Sequence, residues 1–391
     1  MLLDTEFSFN NIFLQMNQSQ EFTIGVEEEY QIIDPRTREL CDRSKQIIGN
    51  VREKLEPEDK DVIQPEMYRS QVEIATVVCQ SLSEVRQELS RCRQAVIKAA
   101  EAEGKAIAAA GTHPFSDWRE QQITPKTRYQ NLQADFKQLI SELIIFGNHV
   151  HIGLSDRNIA LQVINRVRIW LPVLLALSAN SPFWLGRETG YASYRTEMWT
   201  RLPMTGSPPI IADEQEYQAV VKDLITVGAI DDATNIYWDL RLSDKFPTIE
   251  FRVTDICMTV EEAVTITGLV RALVWTGYQE VINDVPLNRV HPQLLQVAQW
   301  YAARYGLSEN LIDLQRKIPI PAAELINNFL DYLRPGLERF DDWQTISTSV
   351  QNILQQGNGA QRQLEVYQKN HSFEAVVDYM VEQTKTFSDV G

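Results

Sequence analysis

Apolar and polar side chains alternate with period two in several short runs, and each run reads as a strand. Residues 22–33, Phe-Thr-Ile-Gly-Val-Glu-Glu-Glu-Tyr-Gln-Ile-Ile, end at the turn Asp34-Pro35. On that strand Glu27 and Glu29 share one face, and Glu28 points to the other. In residues 71–76, Gln71, Glu73 and Ala75 alternate with Val72, Ile74 and Thr76, while Glu66 lies upstream after Pro65. Residues 147–153, Gly-Asn-His-Val-His-Ile-Gly, put His149 and His151 on one face about 7 Å apart, with Val150 and Ile152 opposite. Residues 248–253 alternate in the same way, with Glu250 and Arg252 against Ile249, Phe251 and Val253. Residues 105–110 and 235–242 complete the strand-like runs.

Helical periodicity and capping signals place helices at about 43–56, 83–103, 125–146, 155–178 (interrupted by Pro172) and 213–227. The box Thr259-Val-Glu-Glu262 opens a further helix to about 283. The remainder is helical at about 292–305, 321–333, 343–355 and 373–386. Residues 357–363 form a small loop carrying Arg362. Residues 181–209 read as a long irregular segment in which Arg187, Arg195 and Arg201 stand among aromatics and glycines, a composition suited to an anionic ligand. His113 reads as an ordinary loop residue. Residues 1–20 are polar and read as a disordered extension in which Met16 offers an alternative start, and residues 21–391 read as one domain.

A net charge of −16 argues against a nucleic-acid partner, which needs a basic face. No run of 18 apolar residues predicts a membrane span, and the start lacks a signal-type core. Four widely spaced cysteines with no Cys-x-x-Cys pair suit reduced thiols in a cytoplasm. The chemistry therefore rests on the strands. Four of them put ionisable groups on half-buried faces, and if they are neighbours those groups converge. Like charges about 4 Å apart repel by about 4 kcal/mol at an effective dielectric of 20, so the cluster calls for cations. Oxygen ligands with one or two imidazoles suit Mg²⁺ or Mn²⁺ better than a closed zinc site.

Together, in this order, Gly-Val-Glu-Glu-Glu, Pro65-Glu66 with Gln71-x-Glu73, Gly-Asn-His-Val-His-Ile-Gly and Ile249-Glu250-Phe251-Arg252 resemble the carboxylate–amine ligases of the type 2 glutamate–cysteine ligase family, over residues 21–390. The resemblance implies a glutamine synthetase-like α+β fold. Its curved antiparallel sheet of about six strands forms a funnel, with helices on the outer face and a helical C-terminal part. It implies Glu27, Glu29, Glu66, Glu73, His151 and Glu250 as metal ligands, with His149 beside them, and leaves open which histidine reaches a metal. Arg252 and Arg195 become catalytic contacts to phosphate or substrate; Gln71, Arg201 and Arg362 become substrate or nucleotide contacts. ATP, glutamate and an amine such as cysteine are the implied small molecules, and a homodimer is left open. Three other readings compete: a metal-dependent hydrolase, which would need more His or Asp ligands, a small-molecule kinase on the same fold, and a non-catalytic nucleotide binder.

Overall fold

The computed structural model describes residues 21–53 and 62–387, so the expected extension at 1–20 lies outside the described residues. Seven strands form one open antiparallel sheet: β1 (Ile24–Ile33), β2 (Ile63–Pro65), β3 (Gln71–Ala75), β4 (Ala106–Ala108), β5 (Gly147–Gly153), and β8 (Leu240–Leu242) with β9 (Thr248–Asp255). Their order is β2-β3-β1-β5-β9-β8, with β4 paired to the end of β1. Between β5 and β8 lies the small hairpin of β6 (Phe183–Trp184) and β7 (Arg187–Glu188). A second hairpin, β10 (Asn310–Asp313) with β11 (Ile318–Pro321), lies outside the sheet.

One face of the sheet is apolar. Val26, Tyr30, Val72, Ile74, Val150, Ile152, Ile249 and Phe251 are all buried, and the helices Leu82–Ala102 and Val260–Ile282 pack against β1. Ser81 caps the first of these helices, and Thr259 with Glu262 forms the expected capping box of the second. Glu28 falls on this apolar side, as alternation requires. Its charge is met by Arg93 of the first helix, and Tyr30 also donates to it. Arg93 is tied in turn to the Cys257 and Met258 carbonyls just past the end of β9. Both members of the pair are fully buried, so breaking it from one side would leave a bare charge in the core at a cost of about 3–5 kcal/mol.

Several boundaries differ from the periodicity. The helix expected over 125–146 is two pieces, Thr127–Phe136 and Gln138–Ser141, separated by Lys137 in the left-handed region at φ 50°. The loop expected at 357–363 is instead the start of a helix, Gly359–Asn370, capped by Asn358 and Gln361. Residues 157–178 break at a 3₁₀ turn, Arg168–Trp170. This segment is apolar and long enough to cross a membrane, yet 83% of its most apolar window is buried inside the protein; it serves as core. His113 is no loose loop residue: its Nδ1 accepts the Ser116 N–H at 2.9 Å, and its Nε2 donates to the Arg38 carbonyl at 2.8 Å.

Candidate active site

The other face of the sheet carries the ionisable groups, and the strand register sets them side by side. Glu29 on β1 lies opposite Glu73 on β3. Glu27 lies opposite His149 on β5. His151 lies opposite Glu250 on β9, which in turn lies opposite Arg241 on β8. Directly opposed residues have Cβ atoms about 5 Å apart, so each pair is in contact range. His149 Nδ1 is 3.0 Å from Glu27 Oε2, and its Nε2 is 3.9 Å from Glu29 Oε1. The Gly147 N–H donates to Glu29 at 2.7 Å. A Cβ at Gly147 would sit 2.5 Å from the Arg195 guanidinium, so only glycine permits this approach.

A bulge shapes the right-hand side. Between Asn148 and Val150, β9 uses one residue more than β5. Arg252 and Val253 therefore share the place opposite His149, and Asp255, opposite Gly147, turns to the ionisable face. There its carboxylate accepts from the Asn180 N–H and the Ser181 and Ser193 hydroxyls. These bonds fasten the segment that brings Arg195 into the site, with its Nη1 3.8 Å from Asp255 and its Nη2 donating to the Arg252 carbonyl at 3.2 Å. The irregular segment expected over 181–209 is thus pinned. It carries the β6–β7 hairpin and a short helix, Tyr194–Trp199, and Arg195 is buried.

The electrostatics divide the site. Burial pushes Glu29 up to about 7, helped by the charge of Glu66. Burial, then Glu27, Glu66 and Glu29, push Glu73 well above the carboxylate range. Burial acts against Glu27 too, but contacts with His149 and His151 outweigh it and hold its carboxyl low. Burial, with Arg252 nearby, takes His149 down to about 4, so it is a neutral imidazole at pH 7. At the far side burial would raise Glu250, yet Arg241 and Arg252 hold it well below its ordinary value. Arg241 binds both carboxylate oxygens, at 2.8 and 3.2 Å, and Arg252 donates to one of them.

Two sets of side chains can each converge on a cation: Glu27, His149 and Glu250, and Glu29, Glu73 and His149, with ligand atoms within 4.8 Å of one another in each. His149 belongs to both. His151 has its Nδ1 3.0 Å from the Thr248 hydroxyl, and its buried Nε2 lies 3.5 Å from Glu27 Oε1. Carboxylate oxygens with imidazole nitrogen fit Mg²⁺ or Mn²⁺. Glu66 joins the same group, since its charge acts on Glu29 and Glu73 and it accepts from the Tyr129 hydroxyl at 3.2 Å.

Three sequence candidates have protein partners in the structure. Gln71 accepts from the Tyr68 N–H and donates to the Ile145 carbonyl, each at 2.9 Å, so its amide clamps backbone. Arg201 pairs with Glu142 at 2.9 Å. Arg362 pairs with Glu262, joining two helices. Arg241, Asp239 and Asp255 went unnoticed in the sequence. Arg241 and Asp239 alternate along the 235–242 run and could have been found by the same parity rule, whereas Asp255 reaches the face only through the bulge.

The profile of glutamate–cysteine ligase family 2 matches residues 23–379. A Rhodopirellula baltica protein provisionally named glutamate–cysteine ligase 2 is 39% identical over 342 residues, 87% of this chain and 92% of that protein. A Solibacter usitatus protein with the same provisional name is 39% identical over 363 residues, 93% of each chain. Among solved structures, the glutamate–cysteine ligase of Francisella tularensis in complex with AMP shares the fold at a TM-score of 0.67 and 12% identity, covering 94% of this chain and 90% of that one. The bifunctional glutathione synthetase of Pasteurella multocida superposes at 0.68 and 14% identity; this chain is 93% covered and spans 52% of that longer one. The sheet, its acid-bearing face and these relationships together establish that the chain belongs to glutamate–cysteine ligase family 2.

Proposed function

We propose that this enzyme of the ATP-dependent C–N ligase class joins the γ-carboxylate of glutamate to the amine of cysteine, through γ-glutamyl phosphate, releasing ADP and phosphate. The observation that carries the reading is the division of one sheet face. Buried carboxylates that cannot all stay ionised alone line β3 and β1, and two arginines surround the carboxylate on β9. Glu27, Glu29, Glu66, Glu73, Glu250 and the two histidines would hold divalent cations, which when bound draw charge from the β- and γ-phosphates of ATP.

Arg252 then orients the γ-phosphoryl group while the substrate carboxylate oxygen attacks phosphorus and the bond to ADP breaks. The amine nitrogen attacks the acyl carbon next, and phosphate leaves with the electron pair of its C–O bond. No side-chain nucleophile enters. The cysteines suit none, because burial raises Cys41 to about 11 and Cys79 and Cys92 to about 12. All four thiols are free, in keeping with a reducing cytoplasm. The test is ADP formation with Mg²⁺, ATP and glutamate across a panel of amines, with the product identified by mass. An amide with cysteine is expected. A stable phosphorylated product without an amide, or turnover without ATP, would refute the reading.

A further inference from the structure

Asp239 is a buried carboxylate with a role still open. It is 2% exposed, and its backbone carbonyl accepts the Arg252 N–H at 2.8 Å. Since Arg241 lies opposite Glu250, parity puts the Asp239 side chain on the ionisable face next to Arg252. Its side-chain partner is Gln299 of the helix Pro292–Tyr305, which donates to Oδ2 at 3.0 Å. Among the described residues no guanidinium or ammonium lies within ion-pair distance of it. The nearby arginines are directed elsewhere: Arg252 to Glu250, and Arg195 toward Asp255 and the Arg252 carbonyl.

Three buried polar atoms on the residues that act on this carboxylate have no hydrogen-bond partner among the described residues, Gln299 Oε1, Arg195 Nε and Arg252 Nε, and Trp199 Nε1, on the ring beside Arg252, is a fourth. Their residues are linked. Arg195 and Arg252 both act electrostatically on Asp239, and the Arg252 guanidinium lies 5.8 Å from the Trp199 ring. Gln299 is 6% and Arg195 4% exposed. Buried polar groups are rarely left unsatisfied, so the three on residues that act on one carboxylate mark a place for a polar ligand. The group offers two kinds of contact. Asp239 and Gln299 Oε1 only accept, which suits an ammonium. The two arginine Nε–H groups only donate, which suits a carboxylate.

We propose that Asp239 and Gln299 form the subsite for the α-ammonium of the amino-acid substrate, with Arg195 beside them taking its α-carboxylate. The inference rests on the ligase reading above. It makes Asp239 a specificity determinant, since a site built around a charged hydrogen-bonding group rejects the analogue that lacks it.

The experiment compares L-glutamate with glutarate, the same dicarboxylate without its amino group, in ADP formation with Mg²⁺, ATP and cysteine. Wild type is expected to prefer glutamate by about 100-fold or more in kcat/KM. Asp239→Asn should lose about 100-fold on glutamate and little on glutarate, so that the preference collapses; Gln299→Leu, which keeps the carboxylate, should lose about 10-fold on glutamate alone. The melting-temperature shift given by Mg²⁺ with a non-hydrolysable ATP analogue should stay unchanged in both. Equal losses on the two dicarboxylates, or an intact preference, overturn the subsite. ADP from neither dicarboxylate overturns the ligase reading instead. The subsite then stands or falls on whether L-glutamate raises the melting temperature of wild type but not of Asp239→Asn.

Discussion

Glu73→Gln should make the metal-free protein more stable. Glu73 and Glu29 are cross-strand partners, and both carboxyls are raised on folding, Glu29 from 4.5 to about 7. A folded state that holds its protons more tightly than the unfolded chain loses stability as pH rises. For Glu29 the loss begins near 4.5 and is complete above about 7, and for Glu73 it begins in the same range. For Glu29 the shift corresponds to about 3 kcal/mol. Burial and the Glu66 charge cause it and both survive the substitution, so that figure sets only the scale of what Glu73, raised by burial and by Glu27, Glu66 and Glu29, itself costs. We expect a gain of about 1–3 kcal/mol at pH 8 in chelator, seen as a rise of a few degrees in melting temperature. The gain should vanish at pH 5, where wild type is already protonated. Addition of Mg²⁺ reverses the order: wild type gains about 2.7 kcal/mol at 100 times the dissociation constant, and the variant much less. Thermal melts at two pH values, with and without metal, make the test. A variant that melts below wild type at pH 8 in chelator would refute the reasoning, because the two acids would then be stabilising each other.

Arg252→Lys should preserve the fold and the metal-induced shift while cutting ADP formation by about 100-fold, because a point charge cannot reproduce a guanidinium aligned on a transferring phosphoryl group; near-normal turnover would assign Arg252 to its pair with Glu250. His113 is pushed down to about 3 by burial, so its contribution is full above pH 6.5 and lost as pH falls toward 3. Urea melts should show wild type losing about 2 kcal/mol more than His113→Gln between pH 6.5 and 5, and parallel curves would show that His113 is protonated in the fold.

Parity was legible and register was not. Alternation alone separates Glu28 from Glu27 and Glu29, and the structure puts Glu28 against Arg93 on the helical side. It groups His149 with His151 and Glu250 with Arg252 for the same reason. That Glu29 meets Glu73, and His151 meets Glu250, depends on pairing between distant strands, which no local pattern encodes. A one-residue bulge is equally silent, yet it decides which way Asp255 faces. The glycines that flank Asn358 predict a loop at Arg362. The competing signal, Asn358-x-x-Gln361, is a capping box and prevails. Pro319 and Pro321 argue against a strand, yet here they sit in the two-stranded β10–β11 hairpin outside the main sheet.

The order of strands gives the site a direction. On β3 and β1, Glu73 and Glu29 face each other and resist ionisation. Two strands away, Glu250 is flanked by Arg241 and Arg252 and stays ionised with positive charge to spare. The Arg241 guanidinium is itself held by the Thr234 and Ile236 carbonyls, so this clamp is fixed before any ligand arrives. Between them the neutral His149 reaches toward both Glu27 and Glu29. Cations are drawn to the first end and anionic oxygens to the second. A polyphosphate chelated to divalent cations carries both kinds of group, so the face can orient it before any chemistry begins. Reversing the strands' charges would reverse that orientation and, on the proposed reading, leave the phosphoryl group away from Arg252. The arrangement also explains why both ends tolerate their burial: the arginines hold Glu250 as an anion, whereas Glu29 and Glu73 can keep protons until a cation replaces them.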